Sequence, residues 1–559
     1  MLQPLRNPYA TPVDYAQLAQ AVPALAPFLR PARDGRQTID FRDDAAVRAL
    51  NAALLKRDFG LDLILPHDRL CPAVPSRLEY VLFVLHLALA TLDRLESSTS
   101  SRPLVGLDIG TGASAIYPLL AMRTLEPPPV SLLDKAKVDA PLRMLATDID
   151  AHSLEYARKN VRANDLVQDV SLCEVEPDGA LFPLEVVEAA DTIDFVMCNP
   201  PFYSSQDEID SSLAAKEIEP FAKCTGAENE MITPGGEVAF VSRMIEESLK
   251  LGRSRIRWFT SLLGKYSSLS PLVELLKSKE IFNYHVHALP PHGHTVRWVL
   301  AWSLRDRRFP YDLLSSASSS TATPSSPPSS SAPRFSLSRY ASPATTSITY
   351  FTPALEADPL ERMQRVADAL DEVLRELGGG SSAAARVDAA PLPDDERAPK
   401  RRRVGERARD DAEATATSAL EWRWDEPSSA SSSPRDGEDG SDGARAAHAE
   451  LVVVARRNVW SRKARRAAAA PDPAPATAAS SSPPRSLLEL RLLVDLEPSP
   501  SAQARLTAHW VRGLDADRAA FTGLVGFVTR KVGERLKGER EAGVERARRG
   551  EEGREGDEV

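Results

Sequence analysis

Residues 105–114 read VGLDIGTGAS, a short apolar run followed by a glycine turn. The apolar part predicts a buried strand, and the turn predicts a helix that begins near Ala113. Glycines in such a turn let the backbone approach a ligand closely while the helix N-terminus faces it. A dinucleotide-binding turn carries a third glycine, but Ser114 and Ala115 follow Gly112 here. The turn therefore favours a smaller adenosyl ligand such as S-adenosylmethionine.

A second predicted strand, 144–147, ends at Asp148. In doubly wound nucleotide-binding folds, an acid at the end of the second strand hydrogen-bonds ribose hydroxyls. We therefore predict that Asp148 binds a ribose, and a helix N-cap or a solvated loop acid is the alternative. For Asp108, the alternative to a ligand-binding role is a structural carboxylate that caps the glycine turn.

The tetrapeptide Asn199-Pro200-Pro201-Phe202 closes another apolar run, 193–198. An Asn side-chain oxygen and the next backbone carbonyl can each accept one N–H of a planar amine, which aims the nitrogen lone pair at a methyl donor. The prolines stiffen the turn, and the aromatic ring offers a stacking surface for a base. An ordinary Asn-Pro turn is the alternative. The position of the tetrapeptide after the glycine turn in the chain favours methyl transfer to a conjugated amino nitrogen.

The pattern of apolar residues predicts an α/β protein. Residues 1–97 form a helical N-terminal module, with helices through 46–55 and 80–86. Residues 98–305 alternate strands and helices, which indicates a parallel sheet with helices on both faces. Further strands are predicted at 237–241, 255–259 and 296–302, and a surface insertion at 127–141.

The C-terminal half alternates apolar segments with Ser-, Pro- and Ala-rich tracts. We predict a disordered linker at 306–349 and a disordered charged tail at 541–559. Between them, 350–540 is predicted as a small α+β domain. Its helices are expected at 359–377 and 521–536, its strands at 418–424, 451–455 and 487–494, and its disordered insertions at about 378–417, 426–447 and 466–485.

Composition narrows the class of protein. The 559 residues carry a net charge of −10, and the four cysteines, Cys71, Cys173, Cys198 and Cys224, lack metal-ligand spacing. Reduced, mostly buried thiols are expected, which suits a reducing compartment. The N-terminus lacks an apolar signal core, and no apolar run is long enough to span a bilayer. We expect a soluble intracellular protein with no metal and no membrane partner.

Two basic clusters suggest partners. The cluster at 399–404, PKRRRV, predicts recognition by a nuclear import receptor, with a generic charged run as the alternative. The cluster at 456–466 places Trp460 among cations, which suits a nucleic-acid backbone and a stacked base. A charged linker with one anchoring Trp is the alternative there.

Several motifs in matching order make the chain similar to the methyltransferase-like protein 16 family, which is related to a bacterial 23S ribosomal RNA adenine N6-methyltransferase. The resemblance covers about 5–305. It implies a Rossmann-like domain, S-adenosylmethionine as methyl donor, and methyl transfer to the N6 of adenosine in structured RNA. The substrate expected first is U6 small nuclear RNA, and messenger RNA hairpins are the second candidate. We also expect the protein to be located in the nucleus, with the cytoplasm as a second compartment. Residues 350–540 are expected to form an accessory RNA-binding domain. The motifs are 6–9, 46–50, 58–61, 74–80, 106–117, 198–202 and 297–302.

The resemblance assigns site residues by position. The catalytic residues are Asn199, Pro200, Pro201 and Phe202. The cofactor-binding residues are Arg77, Asp108, Gly110, Gly112, Asp148, Ala180 and Asn199, and the RNA-binding residues are Arg6, His294 and Arg297. The chain departs from the family at Gly179-Ala180, where a Lys-Thr pair is missing, at His294, which replaces a basic residue, and in the acidic loop after Phe202.

Two other functions use the same features. A protein-glutamine N5-methyltransferase needs the same tetrapeptide, because a side-chain amide is also planar, but the basic segments oppose it. An RNA-binding protein with a degenerate catalytic core is the other alternative, and the intact Asn199 and glycine turn oppose it.

Overall fold

The computed structural model divides the chain into two compact units, 1–305 with 312–343 and 306–311 with 344–559. No helix within the described part is long and apolar enough to cross a membrane. The insertion predicted at 127–141, apart from its last residue, and both basic clusters lie outside the described residues. The structure describes residues 5, 7–32, 35–92, 102–125, 141–209, 227–252, 255–291, 296–309, 337–340, 347–353, 359–377, 380–381, 420–425, 448–455, 488–496, 504–513 and 518–555.

The first unit begins with helices, as predicted for its N-terminal part. Asp14 and Asp43 cap α1 and α2 by accepting backbone N–H groups, and Gly60 ends α2 in the left-handed region. Helix α3 is buried along most of its length. The elements are α1 (Tyr15–Ala21), β1 (Arg30–Pro31), β2 (Gln37–Thr38), α2 (Asp44–Phe59) and α3 (Val74–Ala90).

A seven-stranded sheet follows, and it confirms the Rossmann-like α/β class. Its order is β5-β4-β3-β6-β7-β9-β8, and its pairs are parallel except where β9 pairs antiparallel with β7 and β8. The strands are β3 (Leu104–Ile109), β4 (Leu142–Asp148), β5 (Val170–Glu174), β6 (Ile193–Cys198), β7 (Ile256–Leu263), β8 (Tyr284–Ala288) and β9 (Trp298–Trp302). The helices are α4 (Ile116–Leu125), α5 (Ala151–Ala163), α6 (Leu184–Glu188), α7 (Glu228–Met231), α8 (Gly236–Leu251) and α9 (Leu269–Ser278).

The strand register brings the predicted motifs to one edge of this sheet. Ile109 pairs with Thr147 on one side and with Cys198 on the other. The residues that follow these strand ends, Gly110, Asp148 and Asn199, therefore lie side by side. This is the carboxyl edge, where open α/β sheets bind their ligands.

Two local predictions in the first unit are wrong. Residues 237–241, predicted as a strand, belong to α8, because burial recurs at helical spacing over a longer window, at Val241, Met244, Ile245 and Ser248. Tyr340, within the predicted disordered linker, is buried and lies 5.7 Å from Tyr266, ring centroid to ring centroid. Apolar packing in an otherwise Ser-rich segment explains the second difference.

The second unit holds a six-stranded sheet in the order β10-β15-β14-β13-β12-β11, with α10 and α11 packed against it in one apolar core. The predicted strands and helices are confirmed, but β10 and the interior strand β15 were missed. Helix α11 also continues through 541–555, predicted as a disordered tail, because Ala, Glu and Arg favour helix. The elements are β10 (Ser347–Phe351), α10 (Pro359–Glu376), β11 (Gly380–Ser381), β12 (Leu420–Asp425), β13 (His448–Ala455), β14 (Leu488–Leu496), β15 (Ala504–Arg512) and α11 (Arg518–Glu555).

The cysteines of the described part are free thiols. Cys198 is buried, whereas Cys71 and Cys173 are only partly buried. Burial raises the pKa of the Cys198 thiol well above its ordinary value and that of Cys71 to about 11. Both sulfurs are therefore protonated and unreactive near neutral pH.

One buried carboxylate ties the start of β3 to β6. Asp194 on β6 is 1% exposed. Its two oxygens accept from the Arg102 guanidinium at 2.9 and 2.7 Å, and Oδ2 also accepts from the Val105 N–H at 2.9 Å. Removing this carboxylate leaves the buried Val105 N–H without its acceptor and removes the ion-pair partner of the half-buried Arg102 guanidinium, which costs more than the net value of the bonds.

We expect Asp194→Ala to lower the free energy of unfolding by about 3 kcal/mol. Urea denaturation followed by circular dichroism measures this difference, with the exposed Asp178→Ala as the control variant. A loss no larger than that of the control would contradict the role assigned to Asp194.

Candidate active site

The glycine turn after β3 is built for close approach by a ligand. Gly110 and Gly112 have φ angles of +71° and +65°, which favour glycine. The N–H groups of Gly110 and Thr111 donate to the Thr147 carbonyl at 2.9 and 3.0 Å, so the turn is anchored to β4. A Cβ atom added to Gly110 would meet open space. The turn thus presents an unfilled surface beside the strand ends.

Asp148 shapes this turn. The Gly112 N–H donates to its Oδ2 at 2.7 Å, and the Asp150 N–H donates to its Oδ1 at 3.0 Å. Burial raises the pKa of Asp148, although these two donors act against the rise. The turn-capping role weighed for Asp108 thus belongs to Asp148. Each carboxylate oxygen can accept further hydrogen bonds, and ribose binding stays a prediction.

Asp108 is a buried carboxyl with no hydrogen bond of ordinary geometry among the described residues, although the Thr111 hydroxyl lies close enough to lower its pKa. Its exposure is 0%, and both side-chain oxygens lack a donor. Burial raises the pKa of Asp108 to about 7, and the Asp148 carboxylate adds to the rise, while Thr111 and Arg77 oppose it. An unpaired buried carboxyl costs stability, so its presence at this edge indicates a ligand that supplies the missing donor.

Asn199 also has a buried acceptor oxygen without a donor. Its Oδ1 atom is buried and has no hydrogen-bond partner among the described residues. The strand end before it is held by Tyr80 of α3, whose hydroxyl accepts from the Cys198 N–H at 3.2 Å and contacts the Thr260 hydroxyl at 2.6 Å. No motif in the sequence points to Tyr80 for this task. Asn199 therefore presents a fixed, desolvated oxygen to the pocket.

The Phe202 ring lies between two elements of the same edge. The guanidinium carbon of Arg297 is 5.4 Å from the ring centroid. A Cβ added to Gly264, just after β7, would come within 2.8 Å of the ring. The antiparallel pair Leu263–Trp298 explains this neighbourhood, because it sets Gly264 and Arg297 opposite each other. Phe202 therefore contributes an aromatic ring to this edge, and the Arg297 guanidinium lies over that ring.

Arg77 on α3 connects the two ends of the pocket. Its guanidinium carbon is 5.8 Å from the centroid of the Tyr117 ring. Its charge lowers the pKa of Asp108 and of Arg297, whose pKa is lowered first by burial. Arg77 therefore lies within electrostatic reach of both Asp108 and Arg297.

Three predicted site residues are not placed in this pocket. Ala180 is exposed, and the backbone on either side of it is held by α8, through Arg243 at the Gly179 carbonyl and Glu247 at the Leu181 N–H. No described contact joins it to the glycine turn, and its cofactor-binding role stays a prediction. Arg6 and His294 lie outside the described residues, and their RNA-binding roles also stay predictions.

Glu230 is a site residue that sequence reasoning missed. Its Oε2 accepts from the Leu70 N–H at 3.1 Å and from the Ala227 N–H at 2.9 Å. Its Oε1 lies 3.7 Å from where a Cβ of Gly112 would be. Glu230 therefore joins the N-terminal helical part to the glycine turn. A single acid in a short helix carries no sequence signal for this.

Comparison with known proteins agrees with this geometry. A family model described as RNA methyltransferase matches residues 2–306. The RNA N(6)-adenosine-methyltransferase mettl16 of Danio rerio is 37% identical over 304 residues, 54% of this chain and 59% of that protein. The U6 small nuclear RNA (adenine-(43)-N(6))-methyltransferase of Schizosaccharomyces pombe is 34% identical over 291 residues, 52% of this chain and 68% of that protein. The chain thus spans between about three fifths and two thirds of the length of these relatives.

One solved structure is similar to the same part of the chain. It is the hMettl16 catalytic domain in complex with MAT2A 3'UTR hairpin 1, with 35% identity and a TM-score of 0.46. The match covers 54% of this chain and 95% of that chain.

We expect Asp108→Asn to remove a pH-dependent loss of stability. The raised pKa means that the folded protein holds a proton which the unfolded chain releases near pH 4, so stability falls as pH rises from about 4 to about 7. The neutral amide carries no such cost. Thermal unfolding without ligand at pH 5 and pH 8 measures this, and the stability gain of the variant should appear at pH 8. An equal difference at both pH values would contradict it.

Proposed function

The chain belongs to the RNA methyltransferase family that its residues 2–306 match, and from that premise we propose that it methylates the N6 amine of an adenosine in structured RNA. The methyl donor of this chemistry is S-adenosylmethionine. The observation that carries the proposal is the unpaired, buried Oδ1 of Asn199 beside the Phe202 ring. U6 small nuclear RNA is the substrate we propose first, because relatives carry that name.

The residues at the glycine turn suit the donor. S-adenosylmethionine bears an ammonium, a carboxylate and ribose hydroxyls, and its sulfonium supplies an electrophilic methyl group. Asp108 offers the acceptor that an ammonium or hydroxyl needs, and Arg77 offers the cation that a carboxylate needs. Gly110 leaves open space for the ligand, and Asp148 lies where the fold binds ribose.

The tetrapeptide acts on the acceptor nitrogen. The Asn199 Oδ1 and the Pro200 carbonyl each accept one N–H of the adenine amine, which draws its lone pair out of conjugation. Phe202 stacks the base after it leaves the RNA helix, at a cost of a few kcal/mol. Direct displacement at the methyl carbon would form the N6–C bond as the C–S bond breaks, leaving a neutral thioether, and the N6 nitrogen would release one proton to water. Positioning supplies most of the acceleration.

We expect Asn199→Ala to lower methyl transfer to a U6 fragment by about 100-fold or more, as for loss of a preorganised hydrogen-bonding group. Because the Oδ1 has no partner among the described residues, thermal stability should not fall. The assay follows labelled methyl from S-adenosylmethionine, with the exposed Gln168→Ala as the amide control.

RNA binding without transfer by the wild type would support an RNA-binding protein instead. Transfer to a glutamine side chain in place of RNA would support the protein-methylating alternative.

We also propose that the second unit, with 350–540, adds RNA contacts and that the protein acts in the nucleus. The support is the basic run of Lys400, Arg401, Arg402 and Arg403 and the nuclear RNA named for a relative. RNA affinity of the full chain should exceed that of residues 1–305.

Residues 395–408 fused to a fluorescent protein should accumulate in the nucleus, because a short run rich in Lys and Arg is what an import receptor binds. The matched fusion carries alanine at 400–403 and should distribute evenly. Equal distributions of the two fusions, seen by fluorescence microscopy, would remove the support for an import signal here.

A further inference from the structure

Lys265, just after β7, holds the backbone of Phe202. Its Nζ donates to the Phe202 carbonyl at 2.9 Å. The same Nζ pairs with the Glu208 carboxylate and lies 5.0 Å from the centroid of the Tyr203 ring. Lys265 lowers the pKa of Glu208 to about 2, together with hydrogen bonds from Ser204. The lysine therefore connects three residues of the segment that leaves the tetrapeptide.

Lys265 is itself placed by a buried carboxylate. Glu237, in the first turn of α8, is 1% exposed. Its Oε2 accepts from the Gly264 N–H at 2.7 Å, and its Oε1 accepts from the Lys265 N–H at 3.0 Å and from the Ser268 hydroxyl at 2.5 Å. Three donors on one buried carboxylate hold the turn 264–268 in a single arrangement. That arrangement also puts Gly264 against the Phe202 ring.

The tetrapeptide needs a restraint on this side. The two prolines restrict the backbone before Phe202, but they do not restrict the peptide group after it. The Tyr203 backbone is held by its N–H to Met231 and by its carbonyl, which accepts from the Thr233 N–H. The peptide group that joins Phe202 to Tyr203 is thus held at both ends, by the Tyr203 N–H donating to the Met231 carbonyl and by the Lys265 Nζ donating to the Phe202 carbonyl. The ring direction depends on that peptide, because both share the Phe202 Cα.

We propose that Lys265, set in place by Glu237, is a positioning residue that fixes the direction of the Phe202 ring for the target base. The inference rests on the proposed function, in which Phe202 stacks the adenine. In this proposal Lys265 acts through the Phe202 carbonyl, to which its Nζ donates. Loss of the contact should misplace the base and leave the donor site intact. It should therefore lower kcat with RNA and leave the affinity for S-adenosylmethionine unchanged.

The chain offers a matched control for this lysine. Lys159 on α5 also pairs with a glutamate, Glu155 at 2.7 Å, and also lies over a tyrosine ring, Tyr156 at 4.3 Å. It makes these contacts on its own helix and not with the tetrapeptide. Lys159→Met therefore removes the same kinds of contact without touching Phe202.

The experiment compares Lys265→Met, Lys159→Met and Phe202→Ala with the double variant Lys265→Met/Phe202→Ala. We expect Lys265→Met to lower kcat by about 10- to 100-fold, the effect of a misplacement near 1 Å, with the donor dissociation constant within about twofold of wild type. Lys159→Met should match the wild type. In the Phe202→Ala background, Lys265→Met should cause no further loss, because both act through one ring. Lys265→Arg, which can still donate to the carbonyl, should recover most of the activity.

Other outcomes separate the two ideas. Methyl transfer by Lys265→Met at the level of Lys159→Met would overturn the positioning role and leave the proposed function standing. Additive losses in the double variant would also overturn it. A wild type that transfers no methyl to RNA would instead remove the proposed function. Should Lys265→Met fail to fold, as judged by thermal unfolding, Lys265→Gln serves in the same comparisons.

Discussion

Two residues whose buried acceptor oxygens lack donors define the working edge of the first unit. Asp108 and Asn199 end neighbouring parallel strands, and their side-chain oxygens are shielded from water and from the rest of the described protein. Buried polar groups are nearly always paired, so each of these costs stability in the folded chain. The cost is recovered when ligands bring N–H or O–H groups to the same place. The fold around the edge keeps these three oxygens, two of Asp108 and one of Asn199, out of water and in fixed positions.

Helix α3 does much of that work, although it belongs to the N-terminal helical part. Tyr80 holds the strand end before Asn199, and the charge of Arg77 acts on both Asp108 and Arg297. A loop just before the helix is bound to Glu230 beside the glycine turn through the Leu70 N–H. The helical part and the sheet therefore form one site. An N-terminal part that only bound RNA would not need these contacts.

Individual residues show which features of the site and the fold a sequence pattern can predict. The glycine turn and the tetrapeptide were identified because their chemistry is local, and the register of β3 and β6 then placed them together. That Asp148 and not Asp108 caps the glycine turn could not be read from the chain, since it depends on which carboxylate the Gly112 N–H meets. Residues 237–241 were misassigned because five apolar-rich positions suit either a strand or a helix. Strand β15 was missed because it follows a linker-like run, yet it pairs with strands on both sides.

The amino-acid sequence by itself determined the class of this protein: strand ends that carry glycines, an acid and an Asn-Pro-Pro-Phe corner are short-range features, and adjacent residues suffice to specify them. Only the tertiary structure decided which polar groups remain unpaired and which side chains hold the corner. Tyr80, Glu230, Glu237 and Lys265 reach the site from separate elements. Their roles arise from long-range contacts, because burial and hydrogen-bond pairing are properties of the packed chain and not of any segment.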